Sequence, residues 1–494
     1  MQLHEVYERA RLARDPRFDG RFFVGVRTTG IYCRPICPAV APKRKNVVFY
    51  PSAAAASEAG FRPCLRCRPE CAPGTPAWNG TSTTVRRGLR LIAGGALDSG
   101  SIEQLADRLG VTSRHLRRLF IKHVGASPLA VAHTQRLHFA KRLIDETNLP
   151  MSSVAHAAGF HSIRRFNDAF RKTYGRSPRD LRGTCDTTLQ SRSGALSVRL
   201  SYRKPFDSHG MLAFLAGRAT PGIEQVIGNR YLRTVVVNDQ PGAIDCEFNE
   251  HNDSLTLALH GIRIDALFPL VQRVRELFDL DAPIDDIADT LGSDLRLGEL
   301  LENKPGIRVP GAWDGFELTV RAILGQQVSV KAATTLARRI VDRYGERFVM
   351  PESLSAEANR IQLTRLFPAP ARLARARFDA IGVPGARIDT IRNIASAVAR
   401  GELDFDSAQD PDEFCAKLTK MRGIGDWTAQ YVAMRVLKNP DAFPVTDLGV
   451  SKALSGQGKK KTSVAALNRR AEAWRPWRAY ATLLLWGSLA NAGG

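Results

Sequence analysis

The sequence predicts a multidomain α+β protein whose four parts differ in secondary structure. The chain has 494 residues, more than a single hydrophobic core usually serves. A cysteine-rich, turn-rich segment opens it, and helical periodicity follows. Alternating apolar and polar residues fill the middle, and helical periodicity then returns. These patterns predict a small α/β module, an all-α segment, an antiparallel α+β sheet domain and a second all-α domain.

Turn residues, composition and periodicity set the boundaries between these parts. They give the ranges 1–76, 85–182, 194–300 and 301–494, with a small, polar linker at 183–193. In the first part we expect strands at Arg21–Arg27 and Val47–Tyr50. In the third, alternation predicts an antiparallel sheet with strands at Leu196–Tyr202, Tyr231–Asn238 and Ser254–His260 and a helix near Phe268–Phe278.

The net charge of +22 is distributed unevenly along the chain. Residues 1–200 hold 33 Lys and Arg against 14 Asp and Glu, residues 201–300 hold 9 against 16, and residues 301–494 hold 29 against 19. Two basic regions around an acidic one predict two separate surfaces for nucleic acid, with double-stranded DNA as the expected partner. Because there is no apolar signal segment and no run of eighteen apolar residues, we expect a cytoplasmic protein without a membrane partner.

Four cysteines in the first part have a spacing typical of a zinc site, Cys33-x3-Cys37-x26-Cys64-x2-Cys67. Thiolates at these separations can bind one tetrahedral Zn²⁺, two from each of two loops. Coordination deprotonates cysteine, which leaves a nucleophilic sulfur in a basic setting. Spacing alone favours the simpler interpretation, a closed structural site that only holds a small domain together.

The residues around the cysteines are more specific, in the strings FFVGVRTTGIYCRP at 22–35 and FRPCLRC at 61–67. Over residues 1–75 the chain closely resembles the zinc-binding sensor domain of the Ada family. The resemblance implies a zinc-bound α/β module with one Zn²⁺ on Cys33, Cys37, Cys64 and Cys67. It also implies that Cys33 accepts a methyl group from a DNA methylphosphotriester and that Thr29 and Arg62 contact DNA. Methylating one thiolate removes a negative charge, so affinity for DNA should rise.

Two similar helix–turn–helix patterns lie in residues 85–182, at 102–120 and 154–170. Gly110 and Gly159 supply the turns, and Thr112 or Ser113 caps the first recognition helix. The recognition helices carry arginines that can reach base edges or phosphates, although such arginines are more often only solvated. These are Arg114, Arg117, Arg118, Arg164 and Arg165. With FRKTYGRSP at 170–178, the pair resembles the AraC-type DNA-binding domain, which implies a transcriptional activator and RNA polymerase as a partner.

The C-terminal part contains a Gly-x-Gly hairpin between two helices, in the string LTKMRGIGDWTAQY at 418–431. Gly423 and Gly425 let backbone N–H groups approach a DNA phosphate. Three further strings support a family resemblance: FPVTD at 443–447, ILGQQVSV at 323–330 and WRPWRAY at 474–480. Together they resemble the helix–hairpin–helix DNA glycosylases, and among these the AlkA-type 3-methyladenine glycosylases. The resemblance implies an AlkA-type N-terminal α+β domain at 194–300 and an all-α glycosylase domain at 301–494.

The chemistry of base release explains why this part needs a carboxylate. An alkylated purine is cationic and leaves readily, and a carboxylate at Asp447 can stabilise the oxocarbenium-like sugar or orient water. In isolation, Asp447 is equally well explained as the N-cap of the next helix. Trp427, Tyr431 and Trp486 are expected to line a pocket in which the flipped base stacks, although aromatic residues at helical spacing more often belong to a core. No cofactor is expected for this half.

Departures from the family patterns restrict the predicted reaction. Superfamily members that also cut the backbone carry a Schiff-base lysine where this chain has Trp427, and the four-cysteine iron–sulfur loop of some members is missing. We therefore expect a monofunctional enzyme that leaves an abasic site. Gln327 lies where the family often has a leucine that wedges into the DNA, which predicts a polar wedge. No Pro-Cys-His-Arg motif occurs, so direct repair of O6-methylguanine is not expected.

The leading hypothesis combines a sensor, a transcriptional activator and a glycosylase in one chain. A second hypothesis makes the protein a DNA-alkylation-sensing regulator whose glycosylase fold only binds DNA. In a third, the front half is a zinc-stapled docking module for the enzyme.

Overall fold

The computed structural model describes residues 2–72, 83–98, 100–147, 149–182, 196–251, 253–355, 357, 359–405, 409–455 and 463–490. The predicted linker at 183–193 lies outside these ranges. The chain divides into two compact units, which are described separately: residues 1–203, 253–258 and 262–273 form the first, and residues 204–252, 259–261 and 274–494 form the second. Within the described ranges, every helix is too short or too polar to cross a bilayer.

The first unit begins with a helix and a small four-stranded sheet. Its elements are α1 (Gln2–Ala13), β1 (Phe23–Val26), β2 (Ile31–Cys33), β3 (Val47–Tyr50), α2 (Ala53–Glu58) and β4 (Arg62–Pro63). The strand order is β3-β1-β2-β4, with β1 antiparallel to both β2 and β3 and β4 parallel to β2. Buried Phe22, Val24 and Val47 pack against Ala10 of α1. The two predicted strands are confirmed, whereas α1, α2, β2 and β4 were not predicted.

Six helices continue the first unit and form the double helix–turn–helix. They are α3 (Thr83–Ala93), α4 (Ile102–Arg108), α5 (Ser113–Val124), α6 (Pro128–Glu146), α7 (Met151–Ala157) and α8 (Ile163–Tyr174). Gly110 and Gly159 have φ of +69° and +75°, the left-handed conformation that the predicted turns require. Thr112, rather than Ser113, caps α5 by accepting a hydrogen bond from the backbone N–H of His115 at 3.3 Å.

The next segment carries the predicted sheet. Its elements are β5 (Leu196–Ser201), α9 (Ser208–Ala216), β6 (Glu224–Ile227), β7 (Arg230–Val237), β8 (Gln240–Asn249), β9 (Ser254–His260) and α10 (Leu267–Leu277). In the second unit, β7 pairs antiparallel with β6 and with β8. The three predicted strands correspond to β5, β7 and β9 and the predicted helix to α10, while α9, β6 and β8 were not predicted. The boundary between the two units passes through β9 and α10.

Helices dominate the rest of the second unit, as predicted for the chain after residue 305. They are α11 (Ile284–Leu291), α12 (Leu295–Asn303), α13 (Gly315–Leu324), α14 (Val330–Tyr344), α15 (Glu352–Ser355), α16 (Pro370–Ala374), α17 (Gly385–Ala399), α18 (Pro411–Thr419), α19 (Asp426–Arg435), α20 (Leu448–Ser455), α21 (Val464–Ala471) and α22 (Arg478–Ala490). Helices α11 and α12 were not predicted. The largely buried α13 packs against α17 and α19, and α20 packs against α22. These pairs position the hairpin and Asp447.

Candidate metal centre and candidate active site

The four predicted zinc ligands come together at one end of the small sheet. Cys33 ends β2 and Cys64 follows β4 directly, while Cys37 and Cys67 lie in the turns that follow. The four Sγ atoms all lie within 4.8 Å of one another, and none forms a disulfide. Four thiol sulfurs converging at this distance fit one tetrahedral Zn²⁺ with Zn–S bonds of about 2.3 Å.

The four sulfurs differ in hydrogen bonding and in burial. The backbone N–H of Arg34 donates to Cys67 Sγ at 3.3 Å. Cys33 and Cys37 are half-buried, whereas Cys64 and Cys67 are buried. Cys33 is therefore one of two sulfurs that a ligand can reach.

The metal module packs against helix α6 of the same unit. Buried Tyr32, next to Cys33, shares a 2.7 Å hydrogen bond with His138 of α6. Burial lowers the pKa of His138 to about 4, so the imidazole is neutral at pH 7. Arg68, next to Cys67, forms an ion pair with Asp145 of α6 at 2.8 Å. Both cysteine turns are thus attached to the helix that precedes the second helix–turn–helix.

The residues predicted to contact DNA in the first unit lie at its surface. Arg114, Arg117 and Arg118 are exposed on α5. Arg164 and Arg165 are exposed on α8. Thr29 and Arg62 are exposed in the sheet module.

The hairpin of the second unit is built around Gly423. Its φ is +89°, and a Cβ atom here would lie 1.9 Å from Thr390 Oγ1, so only glycine fits. Gly425 caps α19 with an ordinary φ of −94° and open space around it. Gln326 joins the hairpin to α13 because its Nε2 donates to Gly423 O at 3.1 Å and to Thr428 Oγ1 at 3.2 Å.

Both carboxylate oxygens of Asp447 accept hydrogen bonds from tryptophan indoles. Trp427 Nε1 donates to Oδ2 at 2.7 Å, and Trp486 Nε1 donates to Oδ1 at 2.9 Å. Oδ1 also accepts from the backbone N–H of Val450 at 2.9 Å, so Asp447 caps α20 as well. Asp447 therefore caps α20 and lies against two of the predicted aromatic residues at the same time.

The predicted aromatic residues form one cluster beside this carboxylate. Trp427 and Tyr431, one turn apart on α19, stack with ring centroids 5.2 Å apart and planes 9° apart. Trp486 of α22 lies 6.2 Å from Tyr431 at 50°. A side chain at Gly449 would meet Asp447 and the Trp486 ring at 3.0 and 3.1 Å, so this glycine allows their close approach. All three aromatic residues are only partly buried, which leaves ring surface for a ligand.

Three further residues beside the cluster were not predicted. Arg435 Nη1 donates to Tyr431 Oη at 2.7 Å. Phe214 of α9 lies beneath two guanidinium groups, with the Arg218 carbon 3.8 Å and the Arg435 carbon 5.0 Å from its ring centroid. The spacing of Arg435 on α19 places it one turn after Tyr431, which was a usable signal. Phe214 and Arg218 lie more than two hundred residues earlier, and no local pattern marks them.

A cleft of about 630 Å³ opens next to this cluster in the second unit. Its lining is largely apolar and includes Phe214, Arg218, Leu483, Leu484 and Trp486. The predicted wedge residue Gln327 is exposed in the turn between α13 and α14, with φ of +56°. A left-handed conformation in a non-glycine residue indicates local strain, which often accompanies function.

Family models match four consecutive parts of the chain. They describe the metal binding domain of Ada at residues 7–70, a helix-turn-helix domain at 105–184, the AlkA N-terminal domain at 197–314 and the HhH-GPD superfamily of base excision DNA repair proteins at 320–479. The match to the Ada domain and the four converging sulfurs assign one Zn²⁺ to the cysteine centre.

Known proteins resemble both the whole chain and its second half. The chain is 41% identical over 495 residues to the probable bifunctional transcriptional activator/DNA repair enzyme AlkA of Mycobacterium tuberculosis, covering 99% of this chain and 98% of that protein. It is 33% identical over 295 residues to DNA-3-methyladenine glycosylase 2 of Escherichia coli, covering 58% and 95%. A solved 3-methyladenine DNA-glycosylase from Archaeoglobus fulgidus shares the fold, with a TM-score of 0.50, 21% identity and coverage of 58% and 96%.

These similarities agree with the order of the parts along the chain. The small zinc module and the helix–turn–helix pair stand before a sheet domain and a helix–hairpin–helix domain, as the four family models require. The chain therefore belongs to the family of bifunctional transcriptional activators and DNA repair enzymes related to AlkA, with an Ada-type regulatory half and a base-excision half.

Proposed function

We propose that this chain performs two reactions on alkylated DNA with the two sites described above. Its second half hydrolyses the N-glycosidic bond of alkylated bases such as 3-methyladenine, with Asp447 as the catalytic carboxylate. Its first half takes a methyl group from a DNA methylphosphotriester on Cys33, once per molecule. The two basic regions of the chain give each half an electrostatic attraction to the DNA backbone.

The observation that carries the glycosylase proposal is the double indole clamp on Asp447. Trp427 and Trp486 fix both oxygens of one carboxylate beside an aromatic cluster. A negative charge held in place in this way stabilises positive charge that develops on the sugar as the base departs. Water then adds to the sugar carbon and loses a proton, which leaves free base and an abasic site.

The aromatic cluster accounts for selectivity toward alkylated bases. A flipped, positively charged base gains cation–π stabilisation from Trp427, Tyr431 and Trp486, whereas a normal neutral base gains less. Gly423 and Gly425 would hold the DNA backbone, and Gln327 would fill the gap that the flipped base leaves. No lysine stands at the position of Trp427, which supports base release without strand cleavage.

Burial and hydrogen bonding at the sulfurs are consistent with Cys33 as the methyl acceptor. Cys64 and Cys67 are buried, and Cys67 also accepts an N–H bond that makes a thiolate a poorer nucleophile, whereas Cys33 is half-buried. Bound Zn²⁺ keeps the four ligands deprotonated. The Cys33 sulfur bonds to the methyl carbon, the methyl carbon–oxygen bond breaks, and its electron pair stays on the phosphodiester.

Methyl uptake would then promote transcription through the helix–turn–helix pair. It converts a thiolate into a thioether and removes one negative charge that repels DNA phosphates. Thr29 and Arg62 would contact the DNA backbone, and the five exposed arginines of α5 and α8 would contact the promoter. RNA polymerase is the proposed partner of the DNA-bound protein.

The glycosylase proposal is tested by incubating the full chain with duplex DNA that carries N3-methyladenine. We expect the wild-type protein to release the base and Asp447→Asn to lose roughly 10²–10³-fold in rate, since the substitution removes the charge but keeps the shape. Binding of abasic duplex should stay unchanged in this variant. Equal base release by both proteins would reduce the second half to a DNA-binding module.

A further inference from the structure

The hydroxyl of Tyr431 has two cationic neighbours and, among the residues that the structure describes, no acceptor for its own hydrogen. Arg435 Nη1 donates to the Tyr431 oxygen at 2.7 Å, and the positive charge of Arg218 also acts on this hydroxyl. A guanidinium group has donors only, so neither arginine can accept the hydroxyl hydrogen. Across the described ranges of the chain, no carbonyl or carboxylate oxygen accepts it either.

Both arginines are fixed in place by their other contacts. Arg435 is 6% exposed, and its remaining nitrogens donate to Pro310 O at 2.8 Å and to Gly311 O at 2.7 Å. Arg218 lies on the Phe214 ring at 3.8 Å. Its Nη1 also donates to Phe214 O at 3.4 Å. The hydroxyl hydrogen of Tyr431 therefore needs an acceptor other than these two cations.

The ring that carries this hydroxyl belongs to the aromatic cluster in which a ligand would stack. The Tyr431 ring stacks on Trp427, which donates to Asp447, and Trp486 stands on the other side. An unmet donor inside a folded protein is uncommon and calls for an explanation. A flipped base in this cluster brings acceptor atoms, namely ring nitrogens and carbonyl oxygens, to the edge of the pocket where the hydroxyl lies.

The electrostatic surroundings make this hydroxyl a strong donor. Burial acts to raise the pKa of Tyr431, but the positive charges of Arg435 and Arg218 and the hydrogen bond from Arg435 outweigh it and lower the pKa. A more acidic phenol donates a stronger hydrogen bond. The bond strengthens further when the acceptor gains negative charge.

We infer that Tyr431 donates a hydrogen bond to an acceptor atom of the departing base and thereby extends excision to neutral lesion bases. The inference rests on the proposed glycosylase function. When the bond between sugar and base breaks, its electron pair goes to the base, and Tyr431 keeps its proton. A neutral base departs as an anion, which the hydroxyl stabilises, whereas a cationic base departs neutral and gains little. Tyr431 is then a specificity-determining residue as well as a stacking surface.

The test compares wild-type protein with Tyr431→Phe, which keeps the ring and removes only the hydroxyl. Single-turnover release is measured from duplexes carrying hypoxanthine, a neutral base, and N7-methylguanine, a cationic base. We expect the variant to lose about 10- to 100-fold on hypoxanthine, the effect of one hydrogen bond to a charged group. On N7-methylguanine the loss should stay below about threefold.

Several outcomes would overturn the inference while leaving the glycosylase proposal intact. These are an equal loss on both bases, no loss on either, or release of N7-methylguanine but not of hypoxanthine by the wild type. If the wild type releases neither base, the proposed function fails as well. Should Tyr431→Phe lower the thermal midpoint, Arg218→Met provides a second test, since removing one cation should give a smaller loss confined to hypoxanthine.

Discussion

The cysteine centre and the aromatic pocket are built in opposite ways. All four ligands of the centre come from residues 33–67, and one Zn²⁺ would bind all four. The pocket brings together Phe214, Trp427, Asp447 and Trp486 from four helices or helix ends, and direct hydrogen bonds and packing hold them. Removing the ion should therefore abolish the fold of the metal module in one step. Removing one contact of the aromatic pocket should lower the rate of base release only in part.

Removal of zinc should cause the largest loss of folded structure, and this loss should be confined to the first half of the chain. Structural zinc contributes roughly 10 kcal/mol or more to small metal-bound modules, so a chelator should unfold the sheet β1–β4. Circular dichroism of the full chain, and limited proteolysis that maps cleavage within residues 1–72, measure this loss. Base release by the same treated protein should be unchanged. A module that keeps its fold without zinc would contradict the comparison.

Two glycines of the hairpin offer a matched pair for the second half. Gly423→Ala should destabilise the second unit by about 2–4 kcal/mol, because it combines a left-handed φ with a clash against Thr390. Gly425→Ala should change stability by less than about 1 kcal/mol, since its φ is ordinary and its surroundings are open. Thermal unfolding and the affinity for abasic duplex measure both. Equal effects of the two substitutions would show that neither the left-handed φ of Gly423 nor its contact with Thr390 excludes a side chain there.

Removing the two indole donors to Asp447 one at a time should slow base release by different amounts. Trp427→Phe takes away the donor to Asp447 Oδ2 and should slow base release by about 10- to 100-fold. Trp486→Phe should cost only about tenfold, because the backbone N–H of Val450 still donates to Oδ1. Single-turnover release of N3-methyladenine ranks the two variants. The reverse ranking would mean that stacking, rather than orientation of the carboxylate, decides the rate.

The two sites also differ in how far apart their residues lie in the sequence, and this decides how much of each could be predicted. Cysteine spacing is a local signal, and it correctly predicted the four sulfurs that converge. The hairpin, Asp447 and the aromatic residues were also predicted, because motif strings marked them. Phe214 and Arg218 were not, since Phe214 meets Arg435 only after the chain has folded, more than two hundred residues apart in sequence.

The secondary structure shows the same limit. Strands β5, β7 and β9 were predicted from alternation, but β8 was missed. Five successive residues of β8, from Gly242 to Cys246, are buried, so its interior lacks the alternation that marks a half-exposed strand. Strands β2 and β4 were missed because they contain only three and two residues. Such short strands depend on neighbours that local sequence does not reveal.

The most direct test of the account is a crossed experiment on one DNA duplex that carries both a labelled methylphosphotriester and N3-methyladenine. We predict that Cys33→Ser loses methyl uptake and keeps base release, while Asp447→Asn keeps methyl uptake and loses base release. Cys415→Ala, which removes a buried thiol of the second unit, serves as the control that changes neither reaction. Methyl uptake by Cys33→Ser, or undiminished base release by Asp447→Asn, would contradict the assignment of the two reactions to the two sites.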